Sequence, residues 1–430
     1  MAAVQYLGPR PRFQFSGRRP INLCLEHEEK CVGFRGFVSS RPTHMEVVRT
    51  YVGIDAHKRM CHATVMSADG TIVNEHRFPT NVKYLEAFTR DLPRDAAFAI
   101  EAGTGTKQLF WALKEMGREV HMAHPLEVRR MMGTKKKTDR TDSAFLANLL
   151  RMNSLPESYV PDPEDDEDRQ FLRHRIDLGK KTTVVKNQIH ALLTSAGVPT
   201  GGFTDLFGKG GREMLRMVKL SRQQRYLLDN YLQQLDLLTS QIEDVERGLA
   251  RIAQENPAAR TLMHLKGIDF YSALVILSEV GDITRFPTAK HLASYSGLVP
   301  RIHQSGDIAR TGHIHKEGPK RLRSTLIQCA NSAVRGSGRF QKFYKRLKKR
   351  KGHGKAIVAT ARKMLVTIFV LLTRGCDYVE IDEKCTRRKL MKMDRIAKEI
   401  SNIDVEDTLS KLSENAKEVL RGDRDITLTG

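Results

Sequence analysis

With 430 residues, 40% hydrophobic and 28% charged, the chain has room for two or three domains with sizeable cores. Lys and Arg total 72 against 50 Asp and Glu, a net charge of +22 with an isoelectric point near 9.8, which fits a polyanionic partner, usually nucleic acid. Six cysteines show no CxxC or paired zinc spacing and read as reduced thiols, not as a disulfide frame, and the longest apolar run, residues 364–373, is too short to span a bilayer.

Residues 1–45 read as a disordered leader or, since Met45 stands just before the first strand, as a start codon placed too early, and they lack the apolar stretch and cleavage site of a secretory signal. From 46 to 160 the pattern is strand-rich, then alternating. VVRTYVGIDA, MCHATVMS and TIVNEHRF read as three strands, the last two joined by a turn at Ala68-Asp69-Gly70. VKYLEAFTRDL is an amphipathic helix, AAFAIEAG a fourth strand, TKQLFWALKEMG a helix and REVHMAHP a fifth strand. Three meandering strands followed by βαβ units give a mixed sheet with helices on its faces. This is the order of a ribonuclease H-like (RuvC-like) fold, so the expected class is α/β followed by all-α. Lys135, Lys136 and Lys137 then lead into Asp139, Arg140 and Asp142, at the head of a helix with Phe145, Leu146, Leu149 and Leu150 on its apolar side.

The acidic run PDPEDDED, residues 161–168, reads as a linker opening a helical segment that extends to 258. Its first helix, 173–196, carries Arg173, Lys180, Lys181 and Lys186 around an apolar stripe; these either lie along a phosphate backbone or are simply solvated. Residues 223–252 repeat Leu228, Tyr231, Leu235, Leu238, Ile242, Val245, Leu249 and Ile252 at spacings of three and four, a coiled-coil seam. It pairs with an earlier helix or, preferably, with a second subunit. A third domain, 259–376, begins helix–turn–helix around Leu265-Lys266-Gly267-Ile268. That is either an ordinary helix turn or a helix-hairpin-helix whose amides bind phosphate. Ser305 follows, between Gln304 and Gly306, ahead of an Arg/His/Lys-rich loop and another helix; Arg301, Arg310, Lys316, Lys320 and Arg321 are candidate backbone contacts. The most basic stretch holds Arg339, Lys342, Lys348, Lys349 and Arg350, with Phe340, Phe343 and Tyr344 interleaved as nucleic-acid contacts often are. Residues 377–430 read as a charged tail, helical or partly disordered.

Four acids carry the chemistry. Asp55 ends the first strand and Glu101 the fourth, while Asp139 and Asp142 are three apart and point the same way from the first turn of a helix. Each alone is as consistent with a cap or a solvated charge as with a ligand. Together in a basic chain they repel one another unless cations lie between them. Two Mg²⁺ ions about 4 Å apart, with Mn²⁺ as the alternative, would neutralise them and act on a phosphodiester. Ser305 taken alone is a turn residue.

GIDAHK, IEAGTG and KTDRTDSAFLA resemble the acidic motifs of the insertion sequence 110-type DEDD transposases, a family that includes Piv/MooV-type invertases and bridge-RNA-guided recombinases. GIDFYSALVILSEVGDITRF, LASYSGLVPR, QSGD and HKEGPKRLRSTLIQCA resemble the family's C-terminal domain. The resemblance implies a bacterial, cytoplasmic, nucleoid-associated transposase. It implies metal bound by Asp55, Glu101, Asp139 and Asp142, with Ser305 as a nucleophile that links covalently to DNA. Many relatives have two serines before the glycine, where this chain has Gln304 and Ser305. It further implies a structured non-coding bridge RNA and a dimer or tetramer acting on element ends and target DNA. The rival readings are a RuvC-like junction nuclease without the covalent serine, an actin-like phosphotransferase, for which a second Gly-rich loop is missing, and a binding protein with inert acids.

Overall fold

The computed structural model describes residues 50–133, 138–305, 308–314, 317–376 and 378–398, with the backbone alone for 302–311. The leader, Lys135, Lys136, Lys137 and Lys316, and residues 399–430 of the tail lie outside the described residues, as does the side chain of Arg310. The chain divides between Asp162 and Pro163 into two compact units.

The first unit runs β1 (Thr50–Ala56), β2 (Met60–Ser67), β3 (Ile72–Pro79), α1 (Val82–Arg90), β4 (Ala97–Glu101), α2 (Thr106–Glu115), β5 (Glu119–Ala123), α3 (Pro125–Met132) and α4 (Asp139–Arg151). Its strands lie in the order β3-β2-β1-β4-β5, with β2 antiparallel to both neighbours and β1, β4 and β5 parallel. Alternation along β1 sends Val52 and Ile54 to one face, buried with Leu85 of α1 and Leu109 and Leu113 of α2. Gly53 and Asp55 face the other way, toward α4. A Cβ on Gly53 would lie 2.5 Å from Ala147 N and nearer still to Ser143 O, so the α4 backbone rests directly on β1. Ala99 and Ala123 extend this small-residue surface beneath Leu146 and Leu149 of α4 and Val128 of α3. The result is a mixed sheet with helices on both faces.

The second unit is mainly helical: α5 (Pro163–Ser195), α6 (Lys209–Met217), α7 (Arg222–Glu255), α8 (Pro257–Met263), α9 (Phe270–Val280), α10 (Ala289–Tyr295), α11 (Lys320–Arg335), α12 (Arg339–Arg374) and α13 (Glu383–Lys398). A two-stranded hairpin, β6 (Pro300–Ser305) and β7 (Ile308–Ile314), interrupts the helices. Four expectations change here. The acidic run is no linker: α5 begins at Pro163 and takes Glu164, Asp165 and Asp166 into its first turn, where acids suit the positive helix end. The α7 seam is filled within the chain, because Leu228 and Leu235 are buried with Val185, Ile189 and Leu193 of α5. The segment after Ser305, expected as a loop, is a strand. Phe340 and Tyr344 are no surface stacking platforms; they are 4% and 9% exposed in the main helical core.

That core also takes in Met364, Leu365, Ile368 and Leu371, the apolar end of α12. Part of the tail belongs to it as well. In α13, Met393 and Ala397 are buried, and Lys389 Nζ donates to the carbonyls of Leu265 and Ile268, each at 2.8 Å, and to that of Met263. The three carbonyls belong to the α8–α9 turn, where Gly267 (φ +87°) lies against the α11 backbone at Cys329 and Ala333. A side chain there would be both strained and blocked. The α9 N-terminus is satisfied by its own Asp269, in a reciprocal cap with Ser272.

Candidate active site

Three elements of the first unit bring acids together. One step past the last paired residues of β1 and β4, Ile54 and Ile100, stand Asp55 and Glu101, so parallel register places them side by side. Across from Asp55 on β2 is His62. From above, α4 starts at Asp139 behind a reciprocal cap made by Thr138 and Thr141, so Asp139 is free of the capping task. His57, just beyond β1, joins β1 to α4: its Nε2 lies 3.1 Å from Asp139 Oδ1 and 3.4 Å from Asp55 Oδ2. The hydrogen bond to His57 holds the Asp139 carboxyl below the usual carboxylate range.

Asp142, one turn further, is only 3% exposed. The next residue, Ser143, fixes the height of α4 over the sheet, its Oγ lying 2.7 Å from Thr64 Oγ1 and 3.0 Å from His62 Nδ1 on β2. Gly53 permits the approach and Ser143 locks it.

Asp55, His57 and Asp139 each present a ligand atom, all within 4.8 Å of one another. Two carboxylates and an imidazole fit a divalent cation; the oxygens suit Mg²⁺ or Mn²⁺, and the nitrogen favours the softer of the two. His57 was missed as a site residue. Its signal was the two-residue spacing from Asp55 at a strand end, since residues two apart in an extended chain face the same side.

Ser305 lies in the second unit as the last residue of β6, its backbone paired with Ile308; its side chain is outside the described residues. The predicted basic contacts separate into two groups. Arg140 pairs with Glu75 at 2.7 Å, Arg173 with the buried Glu279 at 3.3 Å and Lys180 with Asp177 at 2.6 Å. Lys186 lies over the Phe207 ring, and Arg339 is held by Glu380. Lys181, Arg301, Lys320, Lys342, Lys348, Lys349 and Arg350 are exposed, and Arg321 is half-buried. Arg173 is therefore part of the packing between α5 and α9.

Residues 52–197 match a transposase family of the DEDD, IS110 type, and residues 259–345 match the transposase IS116/IS110/IS902 family. A putative transposase of Sinorhizobium fredii, y4rJ, is 31% identical over 306 residues, covering 64% of this chain and 76% of the relative. A second from the same organism, y4qE, is 29% identical over 239 residues, 54% of this chain but only 57% of that relative's length. The pilin gene-inverting protein of Moraxella bovis is 27% identical over 345 residues, covering 76% of this chain and 97% of its own. A carboxylate-edged mixed sheet followed by helices, with these matches, defines an enzyme of DNA transposition or recombination. The chain belongs to the IS116/IS110/IS902 transposase family.

Proposed function

We propose that this chain is a site-specific recombinase of a bacterial insertion sequence, using a divalent-metal site of Asp55, Glu101, Asp139 and Asp142, with His57 as a fifth member, and Ser305 as nucleophile. The observation that carries the reading is the junction of β1 and α4, where Asp55, His57 and Asp139 converge. The strand order β3-β2-β1-β4-β5, antiparallel then parallel, supports a ribonuclease H-like (RuvC-like) sheet. Mg²⁺ or Mn²⁺ held there would stabilise charge on the phosphodiester and lower the pKa of an attacking hydroxyl.

Ser305 Oγ attacks phosphorus, forming one ester bond as another breaks; its proton passes to a base and the leaving strand takes one up. The number of ester bonds is unchanged, so a strand hydroxyl can reverse the step and rejoin DNA without a further energy source. The carboxylates and Ser305 belong to different compact units, which suits the family resemblance in which they assemble between subunits of a dimer or tetramer. With the α7 seam packed in-chain, such an assembly draws on other surfaces. The exposed lysines and arginines named above would contact the backbones of DNA and of a bridge-type RNA, whose pairing would choose the sites. The working boundaries are 46–160 for the catalytic domain, 161–258 for the helical connector and 259–376 for the serine domain, in a cytoplasmic, nucleoid-associated protein.

The test uses a supercoiled plasmid carrying element ends. Asp55→Ala and Asp139→Asn should abolish strand cleavage with folding intact. Ser305→Ala should abolish both cleavage and the covalent protein–DNA species on denaturing gels. Cutting by Ser305→Ala would instead establish the junction-nuclease reading, which the carboxylates of the first unit could perform alone. Sequencing of nucleic acid copurified with the protein tests the RNA: a single discrete non-coding species supports guidance, and only heterogeneous fragments reject it.

A further inference from the structure

Helix α13 lies beyond the residues matched by either family model, and the reaction proposed above makes no use of it. It is nonetheless firmly held. Lys389 is bound by three main-chain carbonyls, Asp394 accepts from Gln254 of α7 at 2.6 Å, and Arg251 donates to the Ala397 carbonyl at 3.2 Å. With Met393 and Ala397 buried, one side of the helix is fixed against α7, α8 and α9.

The other side is almost wholly cationic. Lys384, Arg387, Arg388, Lys392, Arg395 and Lys398 are all exposed. At 3.6 residues per turn they fall within an arc of about 140°. Met391 shares this face and Glu383 sits at its start, while the helix's other acid, Asp394, is turned to Gln254. Among the described residues none of the six cations has an ion pair. Lys384 to Lys398 spans about 21 Å at 1.5 Å per residue, and one strand of duplex DNA presents a phosphate about every 3.4 Å along its axis. The row therefore matches about six phosphates in length and in charge.

We propose that the outer face of α13 is a DNA-backbone contact surface, an additional clamp on double-stranded DNA outside the recombining site. The occupant is duplex and not single-stranded nucleic acid, because α13 contains no aromatic residue, and single strands are held largely by base stacking on aromatic side chains. Phosphate contacts of this kind fix position and affinity and carry no sequence choice.

The experiment compares the full-length chain with Lys384→Gln/Arg388→Gln/Arg395→Gln, measuring binding to a fluorescent 30-base-pair duplex across a salt series. A control, Lys83→Gln/Arg90→Gln/Arg94→Gln, removes the same charge from exposed positions on and beside α1. The α13 variant should bind at least ten-fold more weakly, with the slope of log affinity against log salt reduced by about 2–3, while the control changes little. Equal losses in both variants reduce the effect to net charge, and no loss in the α13 variant removes the clamp; either result overturns the proposal. So does a variant that keeps duplex affinity and loses binding to a structured RNA, which would assign the face to RNA.

Discussion

Gly53→Ala adds a single methyl between β1 and α4. That Cβ would stand 2.5 Å from Ala147 N and 3.0 Å from Leu146 Cβ, with Ser143 O closer than either. Non-bonded carbon contacts settle near 3.5–4.0 Å, so α4 must retreat by about 1 Å. The nearest obstructing atoms are main chain, which leaves no rotamer to relieve them. Overpacking of this kind costs about 1–3 kcal/mol. The retreat also stretches the bonds from Ser143 to Thr64 and His62, adding about 1 kcal/mol for each. A total near 3–5 kcal/mol should lower the Tm of a unit this size by roughly 10 °C or more. Function should suffer further, because Asp139 moves with α4 while Asp55 and His57 stay with the sheet. Metal sites tolerate displacements of about 0.2 Å, so Mn²⁺ binding by calorimetry, measured where circular dichroism shows the variant folded, should weaken by about 10–100-fold, the loss expected when the support that orients metal ligands is disturbed. Gly202→Ala, which meets no atom within 4 Å, is the control. A Gly53→Ala protein with wild-type Tm and Mn²⁺ affinity would refute the placement of α4 on β1.

Other outcomes follow from named contacts. His57→Gln should let the Asp139 carboxyl rise toward the ordinary carboxylate range, since the His57 hydrogen bond is the leading cause of its depression; a side-chain NMR titration reads this, and an unmoved Asp139 rejects the contact. His121 lies between Glu157 at 2.8 Å and Glu119 at 2.9 Å, and Glu157 foremost raises its imidazole above the ordinary 6.5. The stabilisation from His121 is thus complete below about 6.5 and disappears as pH rises through the raised folded value. Glu157, held low chiefly by His121, loses its share only as pH falls through its own folded value. His121→Gln should flatten the alkaline fall in stability, an effect of no more than about 1 kcal/mol for carboxylates this exposed; an unchanged denaturant midpoint against pH excludes the linkage. Lys389→Met removes the ammonium from the carbonyls of Met263 and Ile268, while that of Leu265 keeps the Ile268 amide at 3.2 Å, and should cost about 2 kcal/mol, with faster proteolysis across residues 378–398; resistance equal to wild type would show that the ammonium does not hold α13.

The central strand was readable because burial on both faces imposes visible rules on it: β-branched Val52 and Ile54 alternate with Gly53 and Asp55, and Asp69-Gly70 announces the hairpin that adds the more exposed β3. The convergence of Asp55 with Asp139 was partly readable, since both sit at element ends. His57 was harder, because a histidine beside a lysine and an arginine looks like one more surface cation until α4 is placed above it. The β6–β7 hairpin did carry a signal, a Gly306-Asp307 pair between two short runs that each hold a β-branched isoleucine, Ile302 and Ile308. Its high Arg and His content resembled a solvated loop and obscured that signal. For Phe340 and Tyr344, flanking charge suggested exposure, but helical periodicity turned them inward while Lys342, Lys348 and Lys349 stayed outside. The α7 seam shows what periodicity leaves open: it records that a stripe is covered, and α5, an equally long helix, supplies the cover from the same chain.

Lys389 gives the downstream end of the reading frame a weight that its mixed, charged composition conceals. A frameshift or stop codon anywhere between the last family-matched residues and α13 would remove the ammonium from the Met263, Leu265 and Ile268 carbonyls and uncover the core beneath Met393 and Ala397. Copies of the element decaying from that end would therefore lose part of the core of the second unit while every acid and Ser305 were still encoded. Among degenerate copies in a genome, intact motifs would then be a poor guide to which ones still move, and an intact α13 would have to be counted with them.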